Sequence, residues 1–254
     1  MSVALKVLWS EGLTLFPQHL QQQDLYHEGR LHRTAKSINP NLWGIRDAKW
    51  RPEELANSVL RADTLSLVFQ DGELVDAPGA DMLPVPVDLS ALPSGVTHFT
   101  FHAALPLLKP NSSNLPAADG HHQGARYVQT DTDTPDLFSE AVGSNIAYLR
   151  KRLLLISDHE PLNHYVHFPV IRVLRSTGGG FEIDPTFMPP GVCIGGVAGL
   201  PALLDKLLSK LSSKRDSLSS RQRQTKKGRV RVSQWRYGRI LDAAYDPHRQ
   251  RGAG

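Results

Sequence analysis

Apolar and polar positions change rhythm twice along this 254-residue chain. Near the N-terminus Leu13, Leu15 and Leu20 stand among Gly12, Pro17 and a crowd of glutamines, so the chain turns at Pro17 and then enters a short helix. From Leu65 the spacing shortens to that of strands. Leu65-Ser66-Leu67-Val68-Phe69 runs into Gln70-Asp71-Gly72, where a glycine that tolerates positive φ sets a hairpin or tight return. Val96 to His102 alternates, placing Phe99 and Phe101 on a buried face and His98, Thr100 and His102 on a face that meets water. Tyr165 to Leu174 is a further extended run, and Ser176 to Gly180 followed by Phe181-Glu182-Ile183 completes a second hairpin. Asn145 to Ile156, with Arg150-Lys151-Arg152 in an apolar frame, fits either a strand or a short helix, and strand is the expectation. Prolines at Pro78, Pro84, Pro86, Pro93, Pro106, Pro110 and Pro116 exclude a long helix between these runs and suit loops or sheet edges. The pattern predicts a mainly β fold, an antiparallel β-sandwich over residues 1–198.

At Leu200 the period lengthens. Leu200, Leu204, Leu207, Leu211 and Leu218 recur at spacings of four, three, four and seven, and Leu203 and Leu208 widen the stripe. This is an amphipathic helix with a seam, over residues 199–224, that packs either on the sandwich of its own chain or against other copies. About three turns are cleanly apolar before Lys214. From Thr225 to Gly254 the glycines Gly228 and Gly238, Pro247 and the Arg-rich spacing leave no sustained apolar stripe, so residues 225–254 are expected to be a disordered, atypical basic tail.

Charge follows the same division. Residues 1–213 carry 17 Lys and Arg against 22 Asp and Glu, while residues 214–254 carry 12 against 3, so the sequence pI of 9.2 reflects the last 41 residues. Such a run suits a nucleic-acid or anionic-surface binder. Only Trp235 and Tyr237 interleave it and no nucleic-acid motif accompanies it, which favours a solvated helix face followed by a tail, with no nucleic-acid partner. Hydrophobic residues make up 40% of the chain, enough for a core. No run approaches the eighteen apolar residues of a membrane span, and the first residues lack the pattern of a signal peptide, so no membrane insertion and a cytoplasmic location are expected. Cys193, the single cysteine, has no internal disulfide partner and reads as a small buried apolar side chain.

Candidate chemistry is sparse. His27 and His32 lie near His19, His121 and His122 are adjacent, and His159, His164 and His167 form a trio, but none has zincin spacing and no HExxH occurs. Gly178-Gly179-Gly180 lacks the Lys and hydroxyl residue of a phosphate-binding loop, and no Gly-x-Ser-x-Gly elbow is present. Asp131 and Asp133 are a possible carboxylate pair, yet Thr130, Thr132 and Thr134 around them suggest a solvated loop. Neither an enzyme nor a bound cofactor or metal is expected. The densest pattern is Trp9-Ser10-Glu11-Gly12-Leu13-Thr14-Leu15-Phe16-Pro17-Gln18-His19-Leu20-Gln21-Gln22-Gln23-Asp24-Leu25-Tyr26. Amides donate and accept hydrogen bonds without a pKa to tune, which suits a docking surface better than acid–base chemistry. Trp9, Phe16 and Pro17 are expected to pack as anchors, and Glu11, Gln18, His19, Gln21 and Gln22 to form a polar network.

This run resembles the opening of the TssK family, trimeric baseplate subunits of bacterial type VI secretion systems. Asp71-Gly72-Glu73-Leu74-Val75-Asp76-Ala77-Pro78 with Leu83-Pro84-Val85-Pro86, and Phe181 to Pro190, are similar to later blocks of the same family, so the likeness spread over about residues 5–212 is ordered along the chain. The resemblance implies an N-terminal sandwich shell akin to the shoulder of phage receptor-binding proteins, a helical neck and a C-terminal head. It implies that the shell docks to a wedge of TssF and TssG, and that the neck seam of Leu200, Leu204, Leu207 and Leu211 joins three copies. In full-length relatives the head docks to the membrane complex of TssJ, TssL and TssM. This chain stops at Gly254. The expectation is a shortened or frame-altered product whose family-like sequence ends near Gln224, with head docking lost and trimerisation weakened.

Overall fold

The chain opens with an arm, Ala4–Phe16, that the backbone itself bends. A computed structural model describes residues 4–93, 95–116, 124–140 and 142–244, with side chains as far as Arg223. Gly12 adopts φ of +79°, and the Leu13 N–H donates to the Ser10 carbonyl at 3.3 Å, closing the turn. Pro17 then occupies the first turn of helix α1 (Pro17–Ile38), where its missing N–H has no intrahelical partner to lose. At 22 residues α1 is longer than the short helix expected. Beyond the glutamines, Leu25, Glu28, Arg30, Leu31, Arg33, Ala35 and Lys36 are all good helix formers and carry it on.

Strand β1 (Gly44–Trp50), a one-turn helix α2 (Pro52–Leu55), β2 (Val59–Leu60), β3 (Ala62–Val68), β4 (Leu74–Ala77) and β5 (Val87–Asp88) follow. After them come β6 (His98–Pro106), β7 (Tyr127–Thr134), β8 (Ser144–Lys151), β9 (Leu154–Ser157), β10 (Tyr165–Arg175) and β11 (Phe181–Ile183). Helix α3 (Leu200–Ala244) ends the described chain. Every pairing between these strands is antiparallel, as expected. A three-stranded sheet, β1-β3-β4, and a four-stranded sheet, β11-β10-β6-β9, share one core. Ile45, Leu65, Leu67, Phe69 and Val75 enter it from the first, and Phe99, Phe101, Leu105, Phe168 and Val173 from the second. Phe168 presents its face or edge to Phe69 at 5.1 Å and to Trp43 at 5.8 Å. Each such side chain contributes about 1.5–3 kcal/mol by leaving water.

Both expected hairpins form, β3–β4 across Gly72 and β10–β11 across Gly179 and Gly180, whose positive φ values only glycine adopts cheaply. The ambiguous Asn145–Ile156 stretch is extended and supplies most of β8 and the start of β9. Pro169, within the central strand β10, sits at a register shift opposite His102, where its lack of an N–H is accommodated.

Four expectations need correction. The face of β6 assigned to water is only partly wet: Thr100 is buried, because Arg172 from β10 donates to its Oγ1 at 3.2 Å and lies over Phe187. Asp131 and Asp133 lie in strand β7 rather than in a loop, since the alternating β-branched threonines favour extended backbone. Cys193 is exposed, on the turn that leads to Gly196, with its thiol donating to the Arg46 carbonyl at 3.2 Å. Helix α3 runs through 225–244, the first part of the expected disordered tail, because Lys, Arg and Gln favour helix even without an apolar stripe. Residues 245–254, like His121 and His122, lie outside the described residues.

The chain divides into two compact units, one reaching Pro201 and one beginning at Ala202. No described helix is long and apolar enough to cross a membrane.

Candidate docking surface

The arm and α1 present apolar side chains where a folded domain normally hides them. Leu5 and Leu8 are more than 80% exposed, and Trp9, Leu15, Phe16 and Leu20 about half exposed. Helix α1 buries no residue completely. Its inward face is set by helical spacing: Gln23, Tyr26, Gly29 and His32 are half-buried, while Gln18, Leu20, Gln21, Gln22 and Leu31 point outward.

Of the residues singled out in the opening run, the structure brings three together. The His19 ring stacks on Phe16 at 5.9 Å and lies 6.3 Å from Trp9. His19 Nδ1 accepts the Phe16 N–H at 3.0 Å, and the His19 N–H donates back to the Phe16 carbonyl at 3.0 Å. Histidine thereby takes the role that Glu or Gln plays in a capping box, fixing the arm to the start of α1. Pro17 sits exposed between them. Trp9 and Phe16 therefore brace each other through His19 while remaining half in solvent. The expected polar network does not close: Glu11, Gln18, Gln21 and Gln22 are exposed, and their side chains make no hydrogen bond or ion pair among the described residues.

Beneath α1, a buried charge cluster holds the scaffold. Arg126 is 2% exposed and donates through Nη1 to the Pro106 carbonyl at 2.8 Å, and through Nη2 to Asp71 and Glu73, both at 2.9 Å. Lys151 reaches Glu73 at 3.4 Å and Asp81 at 3.7 Å. Burial opposes the Arg126 charge, but Asp71 and Glu73 outweigh it and raise its pKa. Burial, then Glu73 and Asp24, push the Glu28 carboxyl of α1 above its ordinary value. Gly72, at φ +91°, lies directly under His32 of α1, and a Cβ there would collide with the imidazole ring. The β3–β4 turn is thus the seat of the helix.

On α3 the seam leucines are unequal. Leu200 and Leu204 are half-buried, and Leu207 and Leu211 are 51% and 56% exposed. Leu203, Leu208 and Leu218 are also exposed.

A family model described as "Bacterial Type VI secretion, VC_A0110, EvfL, ImpJ, VasE" matches residues 19–245. This chain belongs to that family. The match passes Gln224, where the family-like sequence was expected to end. The type VI secretion system baseplate component TssK1 of Pseudomonas aeruginosa is 26% identical over 219 residues, which are 85% of this chain and 48% of that protein. The chain thus spans about half the length of this relative. A chain of the type VI secretion TssK–TssF–TssG baseplate subcomplex superposes with a TM-score of 0.79 at 30% identity, over 86% of this chain and 72% of that one. A chain of the type VI secretion baseplate complex gives 0.77 at 29% identity, over 87% and 70%. A crystal structure of TssK, at 23% identity and a TM-score of 0.75, covering 85% and 49%, shares the fold.

The TssK-like blocks acquire physical meanings from this geometry. In the second, Asp71 and Glu73 hold Arg126, Gly72 seats α1, and the Pro78 carbonyl accepts from Arg150 at 3.0 Å. In the third, Asp184 accepts from the Thr186 N–H at 2.8 Å and its hydroxyl at 2.6 Å, which hold its pKa below the usual carboxylate value. The Pro190 carbonyl accepts from Ile45 at 2.9 Å, where Gly44 leaves no room for a side chain. Sequence reasoning missed Arg126, whose partners lie 53 and 55 residues away, and no local pattern marks it. It also missed that His102 and His167, from β6 and β10, meet Nδ1 to Nδ1 at 3.0 Å. Burial, then the neighbouring His167, lower the His102 pKa from 6.5.

Proposed function

We propose that this chain is a structural, non-catalytic component of the cytoplasmic type VI secretion baseplate, whose sandwich docks to a TssF–TssG wedge through the arm and the outer face of α1. The single observation that carries this reading is the exposed apolar run of Leu5, Leu8, Trp9, Leu15, Phe16 and Leu20, held in a fixed conformation by the His19 cap. Exposed apolar side chains clustered along an anchored segment are the character of a protein interface. The likeness to a chain of the TssK–TssF–TssG subcomplex supports the choice of partners. In the docked state Trp9, Phe16 and Pro17 are the anchors, and Glu11, Gln18, Gln21 and Gln22 form the polar rim.

Self-association into a trimer through Leu200, Leu204, Leu207 and Leu211 belongs to the same reading, because α3 carries exposed leucines at coiled-coil spacing. Trp9→Ala with Phe16→Ala tests the docking surface. Truncating two interface aromatics costs about 2 kcal/mol or more, so TssF and TssG recovered with the tagged chain should fall by at least about tenfold. Undiminished recovery with the fold intact by circular dichroism would place the interface elsewhere.

A further inference from the structure

Among the described residues, strands β7 and β8 pair only with each other and form a separate two-stranded ribbon. Its base is fixed: Arg150 donates to the carbonyls of Ala80, Pro78 and Asp81 at 2.7–3.2 Å, and the Lys151 N–H donates to Asp81 Oδ1 at 2.9 Å. Its far end is not covered. Leu137, Phe138 and Val142 are 82%, 97% and 95% exposed, although Asp136 accepts from the N–H groups of Phe138 and Ser139 and so shapes the tip. A two-stranded ribbon is marginal in water alone, and large apolar side chains at its tip call for a covering surface.

Charge identifies that surface. From Tyr127 to Leu149 the only charged residues are Asp131, Asp133, Asp136 and Glu140. Strand alternation puts Asp131 and Asp133 on one face with Leu149, and Thr130, Thr132, Ile146 and Tyr148 on the other. The complementary surface is on α3, where Leu203, Lys206, Lys210 and Lys214 recur at three, four and four residues on one flank of the leucine seam. Asp205 and Asp216 lie on the opposite flank. Successive lysines of the flank are about 6 Å apart along the helix. Asp131 and Asp133 are about 7 Å apart along the strand.

We infer that the ribbon of one protomer clasps the Leu203–Lys214 flank of α3 in a second copy of this chain, acidic face to lysines, with the Leu137–Phe138–Val142 tip covering the apolar side chains. The inference rests on the reading of α3 as a self-associating helix and adds the element that fixes which copy meets which.

Sedimentation of the full chain at several concentrations tests it, using Asp131→Lys with Asp133→Lys, Lys206→Glu with Lys210→Glu, and all four together. Each reversed pair alone should weaken association about tenfold, and the fourfold variant should return it close to the wild-type value. Unchanged association in the ribbon variant, or no recovery in the fourfold variant, overturns the clasp. Leu204→Gln with Leu207→Gln separates the two readings. Association lost in this variant but kept in the ribbon variant leaves the seam standing and the clasp refuted, whereas a wild-type chain that is monomeric at every concentration refutes both. Mixing labelled ribbon-reversed chains with unlabelled helix-reversed chains must give mixed assemblies, since reversed ribbon and reversed helix then meet across copies. Chains that stay separate show docking within one chain and also overturn the inference.

Discussion

Replacing Arg126 by methionine strikes the one cation buried among Asp71, Glu73 and the Pro106 carbonyl. Methionine fits the volume and keeps the aliphatic packing, so the loss isolates charge and hydrogen bonds. Glu73 retains Lys151 at 3.4 Å, but Asp71, whose side chain is 8% exposed, loses its cation. Leaving one member of a buried pair without its partner costs about 3–5 kcal/mol. The unpaired Pro106 carbonyl adds to this and the apolar gain of methionine subtracts, so about 4 kcal/mol is expected. Domains are stable by about 5–15 kcal/mol, so the variant folds but is strongly weakened. With a urea slope near 2 kcal/mol per molar, the unfolding midpoint should fall by about 2 M. Adding Asp71→Asn removes the stranded charge while keeping an acceptor for the Glu73 N–H, which Asp71 Oδ1 now bonds at 3.1 Å, and should recover a substantial part of the loss. A loss below about 1 kcal/mol, the scale of an exposed ion pair, would refute the reasoning.

Gly72→Ala places a Cβ against His32 at a backbone φ that costs about 1–2 kcal/mol for an L-residue, and should loosen α1 first. Faster amide exchange in Pro17–Ile38 than in β6 and β10 would show it, and uniform protection would count against the turn as the seat of the helix. Burial, then His167, lower the His102 pKa in the folded state, so its contribution is fully present above its unfolded value of 6.5 and is lost as pH falls below 6.5 toward the lowered folded value. Urea midpoints should therefore drop between pH 7.5 and 5.5 in the native chain and drop less in His102→Gln. An equal drop in both would assign the effect to other groups. Gln21→Ala with Gln22→Ala should weaken recovery of TssF and TssG without shifting the urea midpoint, because both side chains are exposed and unpaired among the described residues.

What the chain declares locally, it declares well. The turns at Gly72 and Gly179–Gly180 are legible because positive φ needs glycine at those points, and the β10–β11 hairpin follows from a long alternating run next to them. The opening run from Trp9 to Tyr26 stands out in the sequence as a pattern of aromatic, proline and amide residues, although the network of amides expected of it is not what the geometry displays. Side chains whose partners lie far along the chain are not legible. Arg126 reads as an ordinary basic residue until Asp71 and Glu73 are folded against it, and His102 is one histidine among eleven until β10 brings His167 to 3.0 Å. The Thr-Asp alternation of β7 reads as a loop because polar residues stand on both faces of that strand from Gln129 to Thr134, and full burial, the usual mark of a strand, is missing from it. Helix α3 outran its apolar stripe because helix propensity persists in Lys, Arg, Gln and Ser where amphipathicity stops.

The most direct measurement is reconstitution of the purified chain with a purified TssF–TssG subcomplex, followed by size-exclusion chromatography with light scattering at physiological salt and at about 0.5 M salt, where the Debye length is near 4 Å. An apolar interface built on Trp9 and Phe16 predicts one co-eluting species at both salts, with a mass equal to the subcomplex plus whole copies of the chain. Separate elution at physiological salt, or a complex that forms there and dissolves at the higher salt, would contradict it.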